Sequence, residues 1–315
     1  MALPTAEYHT VTEACGVLDR SDRGKLALTG SAAKRFLQGQ VSNDVESLSP
    51  GQGCYAAFLT PKGKMLGDLR IFDAGGELLL DTERVSLQEL FNMIRRFSIG
   101  YDVELHKRTL QRGLFSLLGP GAESLIGGPG LLDEAEHSHR LISVSAVAAR
   151  AIRTDLGIDL LCDSADSEAL LAAVTAAGAV PVSGAVGECL RVEHGRPRYG
   201  VDLDDSVIPQ EAGLNERAVS FTKGCYVGQE TVARLYYRGK PNRRLQGLRL
   251  SEPASTGDEL SFEGRMVGRL GSVALSPRFG PIALALLRRE ALVGATVELS
   301  TGATAEVVDV PFTDQ

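Results

Sequence analysis

Lys223-Gly224-Cys225-Tyr226-Val227-Gly228-Gln229-Glu230 sets a cysteine two residues after a lysine and between two glycines, ahead of a strongly basic segment. A thiol serves as nucleophile or metal ligand only as the thiolate, and neighbouring cations favour that form. The glycines permit turns that a Cβ would forbid, or a close approach of backbone to a ligand. Two readings follow: an activated thiol beside a bound anion, or a tight turn carrying a buried, inert cysteine that behaves as a small hydrophobe. From Lys223 to Arg244 there are six basic residues and one acid, Glu230. Such a run can lower the pKa of Cys225, hold an anionic tail or partner, or be a solvated face. Arg234 and Arg238 lie four apart, as on one helix face, although Tyr236-Tyr237 also permits a strand.

Around this stretch lies an ordinary globular composition. The chain has 315 residues, 43% hydrophobic and 23% charged, a length typical of two or three domains. A net charge of −7 and a pI near 5.4 argue against nonspecific nucleic-acid binding. No apolar run approaches the ~20 residues that span a bilayer. Met1 to Thr10 lacks the basic and apolar regions of a signal peptide and the arginines of a transit peptide. The five cysteines (Cys15, Cys54, Cys162, Cys189 and Cys225) are scattered with no C-x-x-C pair, which speaks for a reducing cytoplasm and against a disulfide framework or local zinc site. Cys54, Cys162 and Cys189 read as packing residues. His137 and His139 read as surface residues of a charged loop, and no metal site is expected.

The apolar pattern divides the chain into three regions. Lys25–Thr29 reads as a strand, followed by a helix through Phe36 and Leu37 with Ser31 as its N-cap. Tyr55–Leu59 and Met65–Phe72 read as a hairpin across Pro61-Lys62-Gly63-Lys64. Leu78–Leu80 is a third strand, and Leu87, Leu90, Phe91 and Ile94 have helical spacing. A second α+β unit follows, with strands at Leu114–Leu118, within Leu141–Ile152 and at Ile158–Cys162. An alanine-rich helix from Ser167 to Ala177 is closed by Gly178. Gly119–Gly130 reads as loop, without the strand–GxGxxG–helix context of a dinucleotide site. From Leu245 onward, short alternating segments separated by Gly and Pro predict a small all-β barrel or sandwich.

Three segments in order resemble the folate-binding YgfZ family, relatives of the glycine-cleavage T-protein aminomethyltransferase. The first holds Leu28-Thr29-Gly30, Phe36-Leu37-Gln38-Gly39, Asn43-Asp44-Val45 and Thr60-Pro61-Lys62-Gly63-Lys64. The second holds Arg191-Val192-Glu193-His194-Gly195, Tyr199-Gly200-Val201-Asp202 and Pro209-Gln210-Glu211-Ala212-Gly213-Leu214. The third is the KGCYxGQE signature of Lys223–Glu230, with Arg234, Arg238-Gly239 and Asn242-Arg243-Arg244 downstream. The resemblance implies an α+β fold, a T-protein/YgfZ-like three-domain ring ending in a small β-barrel. The expected units are 1–110, an N-terminal folate-binding region that can include part of 190–244; 111–244, carrying the signature; and 245–315, the barrel.

The resemblance further implies tetrahydrofolate as cofactor and a role in assembling or repairing iron–sulfur proteins, including radical enzymes that modify tRNA. The mitochondrial Iba-type assembly factors belong to the same group. The expected partners are iron–sulfur enzymes or cluster-assembly proteins, with no nucleic acid or membrane. Cys225 and Lys223 are the candidate catalytic pair. Glu211 stands where T-protein relatives place a carboxylate on the pterin, and a carboxylate suits paired N–H donors; otherwise it opens a helix after Pro209. Tyr199 either stacks on a flat ring or fills the core. Asp68 aligns with the region of the T-protein's catalytic aspartate, with Gly67 at one of two acidic places; otherwise it is a strand-end surface residue. Asn43 lines the cavity or caps a turn, and Arg234 offers charge to the folate tail. The alternative function is a tetrahydrofolate-dependent aminomethyltransferase-type one-carbon transferase. One cysteine is too few to hold a cluster alone.

Overall fold

A computed structural model describes residues 5–314; the sequence reading of Met1–Thr10 lies partly outside them. The chain opens on α1 (Thr5–Glu13) and β1 (Gly16–Asp19), then runs through β2 (Gly24–Thr29), α2 (Ala33–Gln38), β3 (Gly53–Leu59), β4 (Met65–Asp73), β5 (Leu78–Thr82), α3 (Leu87–Phe97) and β6 (Glu104–Lys107). Next come β7 (Arg112–Leu118), β8 (His139–Val144), β9 (Val147–Thr154), β10 (Gly157–Asp163), α4 (Ser167–Ala176), β11 (Val180–Pro181) and α5 (Gly184–Glu193). Two helices, α6 (Asn215–Ala218) and α7 (Gln229–Arg238), lie in the long connection to the last unit. That unit comprises β12 (Arg243–Leu250), β13 (Glu259–Phe262), β14 (Arg265–Ser276), β15 (Gly280–Arg288), β16 (Thr296–Leu299) and β17 (Thr304–Val308).

The strands form a five-stranded sheet, β3-β4-β5-β2-β6, a six-stranded sheet, β11-β1-β7-β10-β9-β8, and a closed six-stranded barrel. The mixed α+β architecture and the terminal barrel agree with the sequence reading. The hairpin β3–β4 also forms as expected, pairing Tyr55 with Arg70 and Ala57 with Asp68. Side chains alternate across each strand, so the first sheet has two apolar faces. Leu69, Ile71, Leu78 and Leu80 pack with Leu90 and Ile94 of α3 and with Phe36 of α2. On the opposite face Phe72 and Leu79 pack with Ile152 of the second sheet. The second sheet carries α4 on its far side through Leu160, Cys162, Leu170 and Val174. Two helix-covered sheets therefore meet back to back.

Several local readings change. The first unit does not hold all of 1–110: β1 joins the second sheet, antiparallel to β7 and parallel to β11. Its partners lie about 100 and about 160 residues away and leave no local trace. Ser31 does not cap α2; its hydroxyl and backbone N–H both bind Asp102 Oδ2, at 2.6 and 2.9 Å. The helix begins after Ala32 without a side-chain cap. His137 and His139 are buried beside Phe72, not at the surface. Among the described residues no helix is long and apolar enough to cross a membrane.

Candidate functional site

The octapeptide from Lys223 leads into α7 and locks two earlier segments. Lys223 Nζ donates to the carbonyls of Gln38, Val41 and Asn43 at 2.6, 2.8 and 2.7 Å. Three acceptors use the full donor set of an ammonium. Burial pushes its pKa down to about 8, and the cation lies 5.1 Å from the Tyr226 ring centroid. Lys223 is therefore a clamp on the loop after α2, not a free cation at a reaction centre. Gly228 adopts φ +85°, and a Cβ there would lie 2.6 Å from the Thr60 carbonyl oxygen. Only glycine lets the start of α7 meet the β3–β4 turn this closely. Tyr226 is buried in the same contact, whereas Cys225 is exposed. Of the remaining cysteines three are buried and Cys54 is half-buried, with its thiol pushed up to about 12 by burial.

The choice between helix and strand for Arg234 and Arg238 resolves as helix. Val232 faces inward and Arg234 outward, and among the described residues no hydrogen bond or ion pair joins Arg234 to the other expected cofactor residues. Tyr236 and Tyr237, 49% and 67% exposed, form an aromatic cluster with Phe221, whose ring stacks on Tyr236 at 3.8 Å.

Asn43, Tyr55, Asp68 and Lys223 belong to one connected network. Asn43 Nδ2 donates to the carbonyls of Tyr55 and Arg217, at 2.8 and 3.2 Å, while its own carbonyl accepts from Lys223. Asn43 thus clips β3 to α6, and its side chain is used internally. Tyr55 donates its hydroxyl to Asp68 Oδ2 at 2.8 Å, and the Arg217 guanidinium lies over the Tyr55 ring. Asp68 is 5% exposed in the middle of β4, which overturns its reading as a strand-end surface residue. Burial is the largest influence on this carboxyl and Glu83 adds to it; together they outweigh Tyr55 and Arg23 and push its pKa up to about 6. A group poised there can exchange a proton near neutral pH. Tyr199 is half-buried in the same apolar cluster as Tyr55, its hydroxyl 3.4 Å from the Met65 carbonyl.

Glu211 lies in a turn before α6, 6% exposed. Its carboxylate accepts Arg243 Nε and Nη2 at 3.2 and 3.1 Å and the backbone N–H of Ile208 at 3.2 Å. It lines a cavity of 570 Å³ with Arg243, Arg288 and Arg289, and a second of 320 Å³ with Gln210 and Arg244. Gln210 Oε1 is buried without a hydrogen-bond partner. Neither lining includes Asp68, Tyr199, Asn43 or Cys225. The expected residues thus separate: Asp68, Asn43 and Tyr199 lie around Tyr55, with Lys223 bound to Asn43, while Glu211 stands apart with Arg243, and Cys225 and Arg234 lie outside both groups.

Sequence reasoning missed Tyr55, Arg243 and the charges around Asp68. Asp81 accepts Arg23 Nε at 2.9 Å and Arg70 Nε at 2.7 Å, and Arg23 also binds Glu83. The available signal was a set of ionisable residues, Asp68, Arg70 and Asp81, set within otherwise apolar strands. Such residues stay buried only when partnered.

Comparison with known proteins places the chain in a family. Residues 2–223 match the GCVT N-terminal domain, and residues 243–314 match the glycine cleavage T-protein C-terminal barrel domain. The Arabidopsis thaliana protein named “Putative transferase At1g60990, chloroplastic” is 29% identical over 306 residues, covering 94% of this chain and 71% of that protein. The crystal structure of the glycine cleavage system aminomethyltransferase T from Bartonella henselae superposes with a TM-score of 0.85 at 23% identity. The match covers 98% of this chain and 89% of that one, a likeness of fold.

Proposed function

The chain belongs to the glycine cleavage T-protein family, and we propose that it acts on its YgfZ side, as a tetrahydrofolate-binding protein that assists assembly or repair of iron–sulfur proteins. The observation that carries this reading is the presentation of Cys225. Lys223, Tyr226 and Gly228 of the signature are committed to fixing the turn, and that turn holds out the one exposed thiol among the described cysteines. A lone exposed thiol suits transient contact with a sulfur species, a cluster or a partner thiol. It does not suit holding a cluster unaided. The partners in this reading are iron–sulfur enzymes, including tRNA-modifying radical enzymes, or cluster-assembly proteins.

The residues present fit a folate. Gln210 Oε1, buried and unpartnered, and the adjacent Glu211 carboxylate offer acceptors to an aminopyrimidine edge. Arg243, Arg288 and Arg289 in the neighbouring cavity match carboxylates. Tyr199 supplies an aromatic face on the preceding segment, and Arg234 a more distant charge. When bound, tetrahydrofolate supplies one-carbon acceptor chemistry. Glu211 must then exchange its Arg243 contact for ligand donors.

A second reading, an aminomethyltransferase-type one-carbon transferase, is favoured by Asp68. This buried carboxyl, bonded to Tyr55 and poised near neutrality, can take a proton from an ammonium group and return it. Two measurements separate the readings. Iron–sulfur enzyme activities in a deletion strain should be restored by the wild-type gene and not by Cys225→Ala; full rescue by Cys225→Ala would sink the thiol role. Formation of methylenetetrahydrofolate from an aminomethyl donor, lost in Asp68→Asn, would favour the transferase. Absence of saturable tetrahydrofolate binding would defeat both.

A further inference from the structure

Away from these residues, a cavity of 510 Å³ opens between α1, the ends of β7, β9 and β10 in the second sheet, α5 and the barrel. Tyr8, Glu193, His194, Leu156 and Leu190 are among its lining residues. Glu193 is 6% exposed. Its Oε1 and Oε2 accept the Tyr8 hydroxyl at 3.0 and 3.1 Å, and Oε1 accepts the Cys189 thiol at 3.4 Å. Every one of these donors is neutral. Among the described residues no Lys, Arg or His nitrogen comes within 4.0 Å of this carboxyl.

The cations near the mouth have carboxylates of their own. Arg153 binds Glu123 at 2.9 Å, Arg196 binds Asp155 at 2.5 Å and Arg278 binds Asp314 at 2.8 Å. Burial holds the His194 imidazole below its ordinary pKa, which favours its uncharged form. A buried carboxylate served only by neutral donors is costly, and an ammonium in the cavity offsets that cost. A carboxylate has about four acceptor directions, so room remains for a charged donor. Val11, Leu156 and Leu190 give the same cavity an apolar wall.

We propose that this cavity binds a small organic amine, its ammonium on Glu193 and its apolar body against Val11, Leu156 and Leu190. The test is calorimetric titration of the full-length protein near pH 7 with benzylamine hydrochloride and, separately, with the neutral benzyl alcohol. Benzylamine should bind saturably and benzyl alcohol should not. Glu193→Gln should weaken benzylamine by about tenfold or more, the loss of a charge-assisted contact. Thr12→Trp, a substitution at an exposed position on the lip, should block the cavity with Glu193 intact. It carries the test if Glu193→Gln fails to fold. Equal binding of the alcohol, no saturation with the amine, or undiminished amine binding in either folded variant would overturn the proposal.

Discussion

At the scale of single residues, the protonation of Asp68 is the most consequential property of the site. Tyr55 donates to its ionised form and so opposes the burial that raises its pKa. Tyr55→Phe should therefore move the Asp68 titration above about 6, read as a shift in the carboxyl carbon-13 signal with pH; an unmoved or lowered midpoint would contradict the assignment. His137 gives the opposite case. Both ring nitrogens are buried without a hydrogen-bond partner, and burial, with Arg70 and Arg217 adding to it, pushes the pKa from 6.5 down to about 3. Between those values the unfolded chain binds a proton that the folded chain refuses, so stability falls as pH drops through 6.5. The loss is on the order of 2 kcal/mol by about pH 5. Asp68 runs the other way, because the folded chain holds its proton up to about 6. His137→Gln should flatten the wild-type decline in urea stability between about pH 6.5 and pH 5, and an unchanged slope would show that the imidazole does not carry it.

At the scale of elements, the signature's work is mechanical. Gly228 and Gly63 let the start of α7 and the β3–β4 turn share one contact, and Lys223 ties the loop after α2 to both. Gly228→Ala should cost about 1–3 kcal/mol, combining a strained φ with a clash on Thr60. Loosening of α7 should accompany it, seen as faster amide exchange across 229–238; wild-type exchange would remove this role. The octapeptide was legible as a turn but not as a clamp, because its three acceptors are carbonyls about 180 residues earlier. Elements with strong local pattern were readable. The hairpin β3–β4, the helix around Leu90 and Ile94, and the barrel strands emerged from periodicity alone. Elements whose position depends on distant partners were not. The pairing of β1, the occupation of Ser31 by Asp102 and the burial of His137 are all decided by residues far along the chain.

At the scale of the whole molecule, polar residues link the units that apolar pattern alone separates. Asp202, quoted in the sequence only as part of a motif, accepts the Ser272 backbone N–H at 2.7 Å and its hydroxyl at 2.8 Å, anchoring the barrel. Gly271 makes room, since a Cβ there would lie 2.4 Å from Asp202 Oδ1. Between the two sheets the link is Arg70, whose Nε binds Asp81 of its own sheet at 2.7 Å and whose Nη1 binds Asp159 of the other at 2.6 Å. Ser116 completes Asp159 with a hydroxyl at 2.5 Å. Arg70 therefore joins the second sheet to the charges that surround Asp68. Arg70→Met strands Asp159 with a single neutral donor, while Asp159→Asn leaves Arg70 with one carboxylate. Removing one partner of a buried pair costs about 3–5 kcal/mol, because the other charge stays buried. The second substitution then removes that stranded charge, so the double variant should be more stable than the sum of the singles predicts, by about 1–3 kcal/mol. Urea unfolding of the four proteins measures this coupling. Strict additivity would mean that the Arg70–Asp159 pair contributes no coupling between the sheets, which would then rest on their other contacts, such as Phe72, Leu79 and Ile152.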